Sequence, residues 1–436
     1  MLWWRHAKFG MFVHYGLYSS LEGEYKGKPV GKDGAEWFQN RTGVSDIEYQ
    51  QISSFRPNEG VTDIWASLAK TAGCDYAVLT SKHHEGFDLF NSTVTEGNYS
   101  APQYIGRDIV REFTDSVRNN GMKVGFYHSV IDWHHSNYDY TQSQQLPYPI
   151  QERWRRENNT DQFDKNQTKY IEFLHHQVDE LLENYDPEIM WFDFSAVDFD
   201  GEKAWGADTL MKHLRKDYPE LIVNNRLYRR EEAGYSGMGT MDITGELDPK
   251  YGDFITPEQD VPEEGIKSVD WESCMTMNNN WGFSKFDHEF KSSKTLVQTL
   301  VDVVSKGGNL LLNIGPKPDG SVPEESVKRM QDIGKWMDVN EESIRGTSPS
   351  PFHTPPDWGR ITQKGDILYV HVFNKPNDTS TLDIPSGAHV KPLSAYLLAN
   401  GAPVQFAESK DGISLQCPQT LPDPYSSVIK LQVAYQ

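Results

Sequence analysis

The sequence predicts an irregular (β/α)₈ TIM-like barrel followed by a small C-terminal β-sandwich. Three observations carry this expectation. Short apolar runs alternate with longer stretches of helical spacing over the first three quarters of the chain. Polar and aromatic residues gather directly behind the apolar runs. Beyond Gly346 the composition turns Pro-rich and then breaks into short alternating segments. At 436 residues the chain exceeds what one hydrophobic core usually serves. A barrel takes roughly 250 residues or more, which leaves room for a second module. The expected division is a barrel over residues 1–346 and a sandwich over 347–436.

The clearest strand candidates are Phe9–Val13, Tyr76–Thr80, Val124–Tyr127, Ile189–Phe192 and Leu221–Val223. Fainter ones lie near Phe254, over Trp271–Met275 and at Leu310–Ile314, which completes eight. Between them, Ile64–Ala69, Ile109–Val117, Phe173–Leu182 and Leu296–Val304 space their apolar residues as helices do. Gly73, Gly121 and Gly307-Gly308 follow three of these as stop signals, and Asp186-Pro187 follows the other. In the last 90 or so residues, Ile367–Phe373, Leu393–Leu398, Val404–Phe406, Ile413–Gln416 and Ser427–Val433 read as antiparallel strands. This module either binds carbohydrate or caps the barrel, and structural support is the expectation because no ligand motif stands out.

Chemistry-bearing residues sit at the carboxyl ends of the strands, where barrel enzymes assemble their sites. His14 ends the first strand, His83-His84 follow the second, Tyr127-His128 end the third and Asp193 ends the fourth. Asn224-Asn225-Arg226 end the fifth and Glu258 follows the sixth. Glu272 and Trp281 belong to the seventh, and Asn309 and Asn313 flank the eighth. Loop polarity explains Asn and Asp at such positions, but not a run of His, Trp, Tyr and Arg.

The net charge of −21 argues against nucleic acid and anionic membranes as partners. No run of 18 apolar residues suggests a membrane span. Cys74, Cys274 and Cys417 are odd in number and far apart, so neither a disulfide framework nor a zinc knuckle is expected. No signal peptide is evident. A secreted or periplasmic location is expected if one has been removed, and a cytoplasmic one otherwise. The triplets at Asn40, Asn91 and Asn98 are weak pointers to secretion. Oligomerisation is open. The pairs His83-His84 and His134-His135 chelate poorly, because neighbours on extended chain point apart. With no HExxH, no GxSxG and no phosphate loop, neither a metal nor another cofactor is expected.

What remains is a carboxylate pair in an aromatic, His-rich pocket. Trp and Tyr stack on the apolar faces of sugar rings, while His, Arg and Glu bond their hydroxyl rims. Glycosidic cleavage needs one ionised carboxylate at the anomeric carbon and one acid at the leaving oxygen. Asp193, held by the apolar Met190-Trp191-Phe192, suits the first role, although an Asp there also serves as a helix cap.

Ordered blocks then carry a resemblance. Lys8–Ser19, Glu36-Trp37-Phe38-Gln39-Asn40-Arg41, Thr80–Phe87, Ile131–His134, Trp191-Phe192-Asp193, Trp271–Thr276 and Gly307–Pro316 resemble α-L-fucosidases of glycoside hydrolase family 29. The match spans residues 3 to 348. The resemblance implies metal-free hydrolysis of terminal α-L-fucosyl linkages in fucosylated glycans, with retention. It implies Asp193 as nucleophile and His14, Glu36, Trp37, His83, His84, Tyr127, Trp191, Arg226 and Trp281 as sugar-binding residues. The acid/base is expected at Glu258, within Gly252–Gln259, with Glu272 as competitor. Against the family pattern, Tyr15 replaces a Trp, an insert occupies Leu21–Lys32 and a polar loop runs over Trp133–Ile150. The Glu-Trp-x-x-Asn-Arg block resembles the branch of broad specificity. Two alternatives stay open: an exo-hydrolase of α-L-galactosides or sulfated fucosides, and a carbohydrate-binding protein without catalysis.

Overall fold

The computed structural model describes every residue except 98, 139–159, 194–200, 229–250, 268, 353, 377–379, 386–389, 410–411 and 436. Most of the Trp133–Ile150 loop therefore lies outside the described residues. All eight expected barrel strands form: β1 (Phe9–Val13), β2 (Tyr76–Lys82), β3 (Lys123–Ser129), β4 (Ile189–Asp193), β5 (Ile222–Val223), β6 (Phe254–Ile255), β7 (Asp270–Thr276) and β8 (Asn309–Ile314). They pair in parallel in the order β5-β4-β3-β2-β1-β8-β7-β6. The free edges of β5 and β6 meet through one bridge, Asn224 with Phe254, and the Asp253 N–H donates to the Val223 carbonyl at 2.7 Å. Gly252 makes this seam possible: its φ is 129°, and a Cβ there would lie 2.6 Å from the Asn224 carbonyl oxygen.

Strand alternation sorts the side chains into two layers. Phe9, Met11 and Val13 of β1 pack outward with Ala77, Leu79, Phe126, Met190 and Phe192. Phe12, Tyr76, Val78, Tyr127, Ile189, Trp191, Cys274 and Leu311 fill the barrel interior. Burial on both faces explains why strands such as Ile189–Phe192 read as unbroken apolar runs. The outer layer meets α1 (Val61–Ala72), α2 (Ile109–Asn119), α3 (Thr160–Tyr185), α4 (Ala207–Asp217), α5 (Ser293–Ser305) and α6 (Glu324–Asn340). Gly73 ends α1 at φ 87°, as its position implies. At the floor, the short helix Leu2–Ala7 plugs the barrel with Trp4, whose ring lies 4.9 Å from that of Phe254.

The C-terminal region forms two antiparallel sheets. One has the order β9 (Gly359–Lys364), β10 (Ile367–Val372), β15 (Ser427–Tyr435), β12 (Val390–Leu397); the other has β11 (Thr381–Pro385), β14 (Gly412–Gln416), β13 (Phe406–Ser409). Their facing side chains, among them Leu368, Val370, Leu431, Leu382 and Leu415, make a separate core. The sequence reading missed β9 and β11, in which few residues are apolar. It placed β13 too early: Val404 instead bonds the Ala395 carbonyl as a flank of β12. The Trp336 indole of α6 donates to the Ser426 carbonyl at 2.8 Å, tying the sheets to the barrel.

Candidate active site

The inward positions at the carboxyl ends of the strands converge on one small cavity. It is lined by Phe12, His14, Trp37, His83, His84, Tyr127, Trp191, Asp193, Arg226, Glu258, Cys274 and Trp281. A two-residue period delivers some of them: Phe12 of β1 with His14 just beyond it, and Trp191 and Asp193 of β4. At the end of β2 a register shift between Thr80 and Lys82 breaks the alternation. His83 and His84 then lie side by side, ring centres 4.2 Å apart. Behind them, buried Lys82 pairs with Asp132 at 3.2 Å and Gln177 at 2.9 Å. Past β5, which is only two residues long, the Asn224 side chain takes over the ladder: its amide accepts from the Phe192 N–H and donates to the Phe192 carbonyl, both at 2.8 Å. The backbone next to Asp193 is thereby held on both sides.

Arg226 organises the charges. Its Nη1 lies 2.8 Å from Asp193 Oδ1 and 2.9 Å from Glu258 Oε2. Nε donates to Thr256 Oγ1 at 2.7 Å, and Nη2 to the Thr256 carbonyl at 3.1 Å. The guanidinium lies over the Trp191 ring at 4.5 Å. Tyr127 donates its phenol proton to Asp193 Oδ2 at 2.7 Å. Burial alone would raise the Asp193 pKa, but the Arg226 charge, His84 and the hydrogen bonds from Arg226 and Tyr127 outweigh it and hold the carboxyl below its ordinary value. Asp193 is thus ionised at neutral pH.

The histidines are neutral there. Burial brings His14 down to about 3 and His84 to about 4. Asn313 donates its amide to the Trp281 carbonyl at 2.8 Å, so its Oδ1 faces His14 and accepts from Nδ1–H at 2.8 Å. Ser129 gives its proton to the Ile131 carbonyl, so it accepts from His84 Nδ1–H at 2.7 Å. Both rings therefore turn unprotonated Nε2 atoms elsewhere, and that of His84 lies 3.8 Å from Asp193. The aromatic walls are Trp281, whose ring centre is 4.9 Å from that of His14, and Trp37, 5.1 Å from His84. Trp191 stacks on Tyr127 at 5.8 Å.

Two expected site residues stand just behind this lining. Glu36 is buried, accepts from the Gly282 N–H at 3.0 Å, and is pushed up to about 7 by burial. Glu272 lies on the far side of the floor, where Oε1 accepts from the Trp191 indole at 3.2 Å and Oε2 from the Tyr76 hydroxyl; burial raises it to about 7. Sequence reading missed Phe12 and Cys274, though each stands two residues from a named site residue, His14 and Glu272. His128, read as a strand end, faces away and bonds Ser81 at 2.9 Å. A larger cavity of about 740 Å³ lies at the opposite end of the barrel, by Arg5, Asp253, Lys306 and Arg360. There Arg5 is engaged by Asp270, and Arg360 and Lys306 by Asp302.

A family model described as Alpha-L-fucosidase matches residues 1–342. The α-L-fucosidase of Dictyostelium discoideum is 28% identical over 445 residues, covering 97% of this chain and 90% of that one. Among solved structures, α-L-fucosidase isoenzyme 1 from Paenibacillus thiaminolyticus is 36% identical with a TM-score of 0.83, over 99% of this chain and 98% of that one. A GH29 α-L-fucosidase from Bacteroides thetaiotaomicron, described as a trapped covalent intermediate with 2-fluoro-fucosyl fluoride, is 28% identical with a TM-score of 0.85, over 99% and 95%. This chain belongs to the α-L-fucosidase family of glycoside hydrolases.

Proposed function

We propose that the protein is a retaining exo-α-L-fucosidase that cleaves terminal α-L-fucosyl residues from oligo- or polysaccharides by double displacement. The observation that carries this reading is the single Arg226 nitrogen shared by Asp193 and Glu258, which keeps their oxygens within about 6 Å. Retaining pairs need about 5–5.5 Å, and inverting pairs need more, to admit a water. Asp193 is the nucleophile: it is ionised, its strand is rigid, and two donors fix its oxygens. Glu258 is the acid/base. Its side chain is 27% exposed against 13% for Asp193, which suits the edge where the leaving group departs and water enters. Glu272 is sealed beneath Trp191 and cannot reach a glycosidic oxygen in the cavity without displacing that ring.

In the first step Asp193 attacks the anomeric carbon while Glu258 gives its proton to the leaving oxygen. In the second, Glu258 takes a proton from water, which attacks the glycosyl-enzyme ester and restores Asp193. Neutral His14, His83 and His84 bond the hydroxyls, with Glu36 supporting them from behind the lining, while Trp37, Trp191 and Trp281 cover the apolar faces. Residues 1–346 make the catalytic barrel and 347–436 a supporting sandwich. Proton NMR during hydrolysis of an aryl α-L-fucoside tests the reading. α-L-Fucose appears first if it is right. β-L-Fucose first contradicts retention, and faster hydrolysis of the α-L-galactoside or a sulfated fucoside reassigns the substrate.

A further inference from the structure

The insert Leu21–Lys32 is left unexplained by the catalytic scheme. It forms a small hairpin, Glu24–Tyr25 against Lys28–Pro29, and docks on the loop that succeeds β7. The Lys285 N–H bonds the Glu22 carbonyl at 3.0 Å, and its ammonium pairs with Glu24. Gly23 packs so tightly that a Cβ would lie 2.6 Å from Ser284 Oγ. That loop presents Trp281 to the cavity and the Gly282 N–H to Glu36.

At the junction stands Asn280, only 3% exposed. Its Oδ1 accepts from the Ala35 N–H at 2.9 Å. Its Nδ2 donates to the Lys32 carbonyl at 3.3 Å and to Asp287 Oδ2 at 2.7 Å. Ala35 opens the 3₁₀ turn Ala35–Trp37, whose cap residue, Gly34, has no side chain to offer. Asn280 thus caps, from another loop, the turn that carries Glu36 and Trp37. Asp287 in turn gathers its own loop, accepting from the Asn279 N–H at 2.8 Å and the Glu289 N–H at 3.1 Å. One amide is bonded to the end of the insert, to the Glu36-Trp37 turn and to the carboxylate that shapes the Trp281 loop.

We propose that Asn280, with Asp287, is a positioning pair that sets the distance between the Glu36-Trp37 wall and the Trp281 wall, and so governs how tightly the first sugar is held. The pair touches neither Asp193 nor Glu258, so it acts on binding rather than on bond cleavage. This rests on the cavity being the fucosyl site. The test is steady-state kinetics on an aryl α-L-fucoside with competitive inhibition by L-fucose, alongside thermal melting, for wild type, Asn280→Ala and Asp287→Asn. The loss of buried bonds in Asn280→Ala raises KM and the L-fucose Ki about tenfold with kcat within about threefold, and Asp287→Asn raises both about threefold. A lowered melting point with unchanged KM and Ki in a folded variant overturns the proposal, as does a loss confined to kcat. Should Asn280→Ala not fold, Asp287→Asn decides alone. A wild type that neither hydrolyses the fucoside nor binds L-fucose defeats the functional reading instead.

Discussion

Arg226 occupies the position on which the chemistry turns. A guanidinium offers five donors in a fixed plane, and here that plane meets Asp193, Glu258 and both oxygens of Thr256 together. A lysine ammonium supplies the same charge but cannot hold those partners in one geometry. Arg226→Lys therefore lowers kcat about a hundredfold or more, the scale of losing one preorganised electrostatic contact. It also moves the acidic limb of the kcat–pH profile upward, because Asp193 loses the guanidinium hydrogen bond that helps hold its pKa down. Kinetics from pH 3 to 8 check both, and an unmoved limb with wild-type kcat would refute the role given to Arg226. Neither bond was legible in the sequence: Arg226 could be named from its motif, but that one nitrogen serves carboxylates at the ends of two different βα units is a fact of tertiary geometry.

At the scale of elements, the barrel was legible where apolar residues run unbroken. Strands β1, β4 and β8 carry their own signal, because both faces are buried and three to five apolar or small residues run together. Strands β5 and β6 have two residues each, so periodicity has nothing to work on. The apolar Leu221–Val223 still reads as a strand and Phe254 only faintly so, and Asn224-Asn225-Arg226 and Glu258 have the character of residues beyond a strand's carboxyl end. The structure shows what makes so short a strand sufficient: the Asn224 amide replaces a ladder position against Phe192, and the Asp253 carboxylate accepts from the Val223 N–H at 2.8 Å. Glu36 was expected at the sugar and Glu272 as the competing acid/base, yet a linear sequence does not show on which side of Trp191 a carboxylate falls. The docking of the Leu21–Lys32 insert was invisible for the same reason, since Asn280 and Ala35 lie 245 positions apart.

For the whole molecule, burial of titratable groups fixes how stability follows pH. Burial raises Glu36, Asp88 and Glu272 to about 7 and Glu85 to about 8. Unfolded carboxyls ionise near 4.5 or below, so between there and about 8 the folded state holds more protons and stability falls as pH rises. His14 and His84, lowered to about 3 and about 4, act oppositely, but their contribution is complete once pH exceeds the unfolded value of about 6.5. Between about 6.5 and 8 the four carboxyls dominate, opposed only toward the upper end by Lys8, which burial lowers to about 8, and the net charge of −21 adds self-repulsion. The melting temperature therefore falls across that interval, and calorimetry at pH 6.5 and 8 reads it; a rise would contradict these assignments. The architecture as a whole serves one convergence, strands from around the barrel placing their partners about Asp193. The most direct measurement of that claim is to trap the enzyme with a 2-deoxy-2-fluoro-α-L-fucosyl donor and sequence the labelled peptide by mass spectrometry. One fluorofucosyl group per chain on Asp193 is the predicted result; a label on Glu258, Glu272 or any other residue would contradict it.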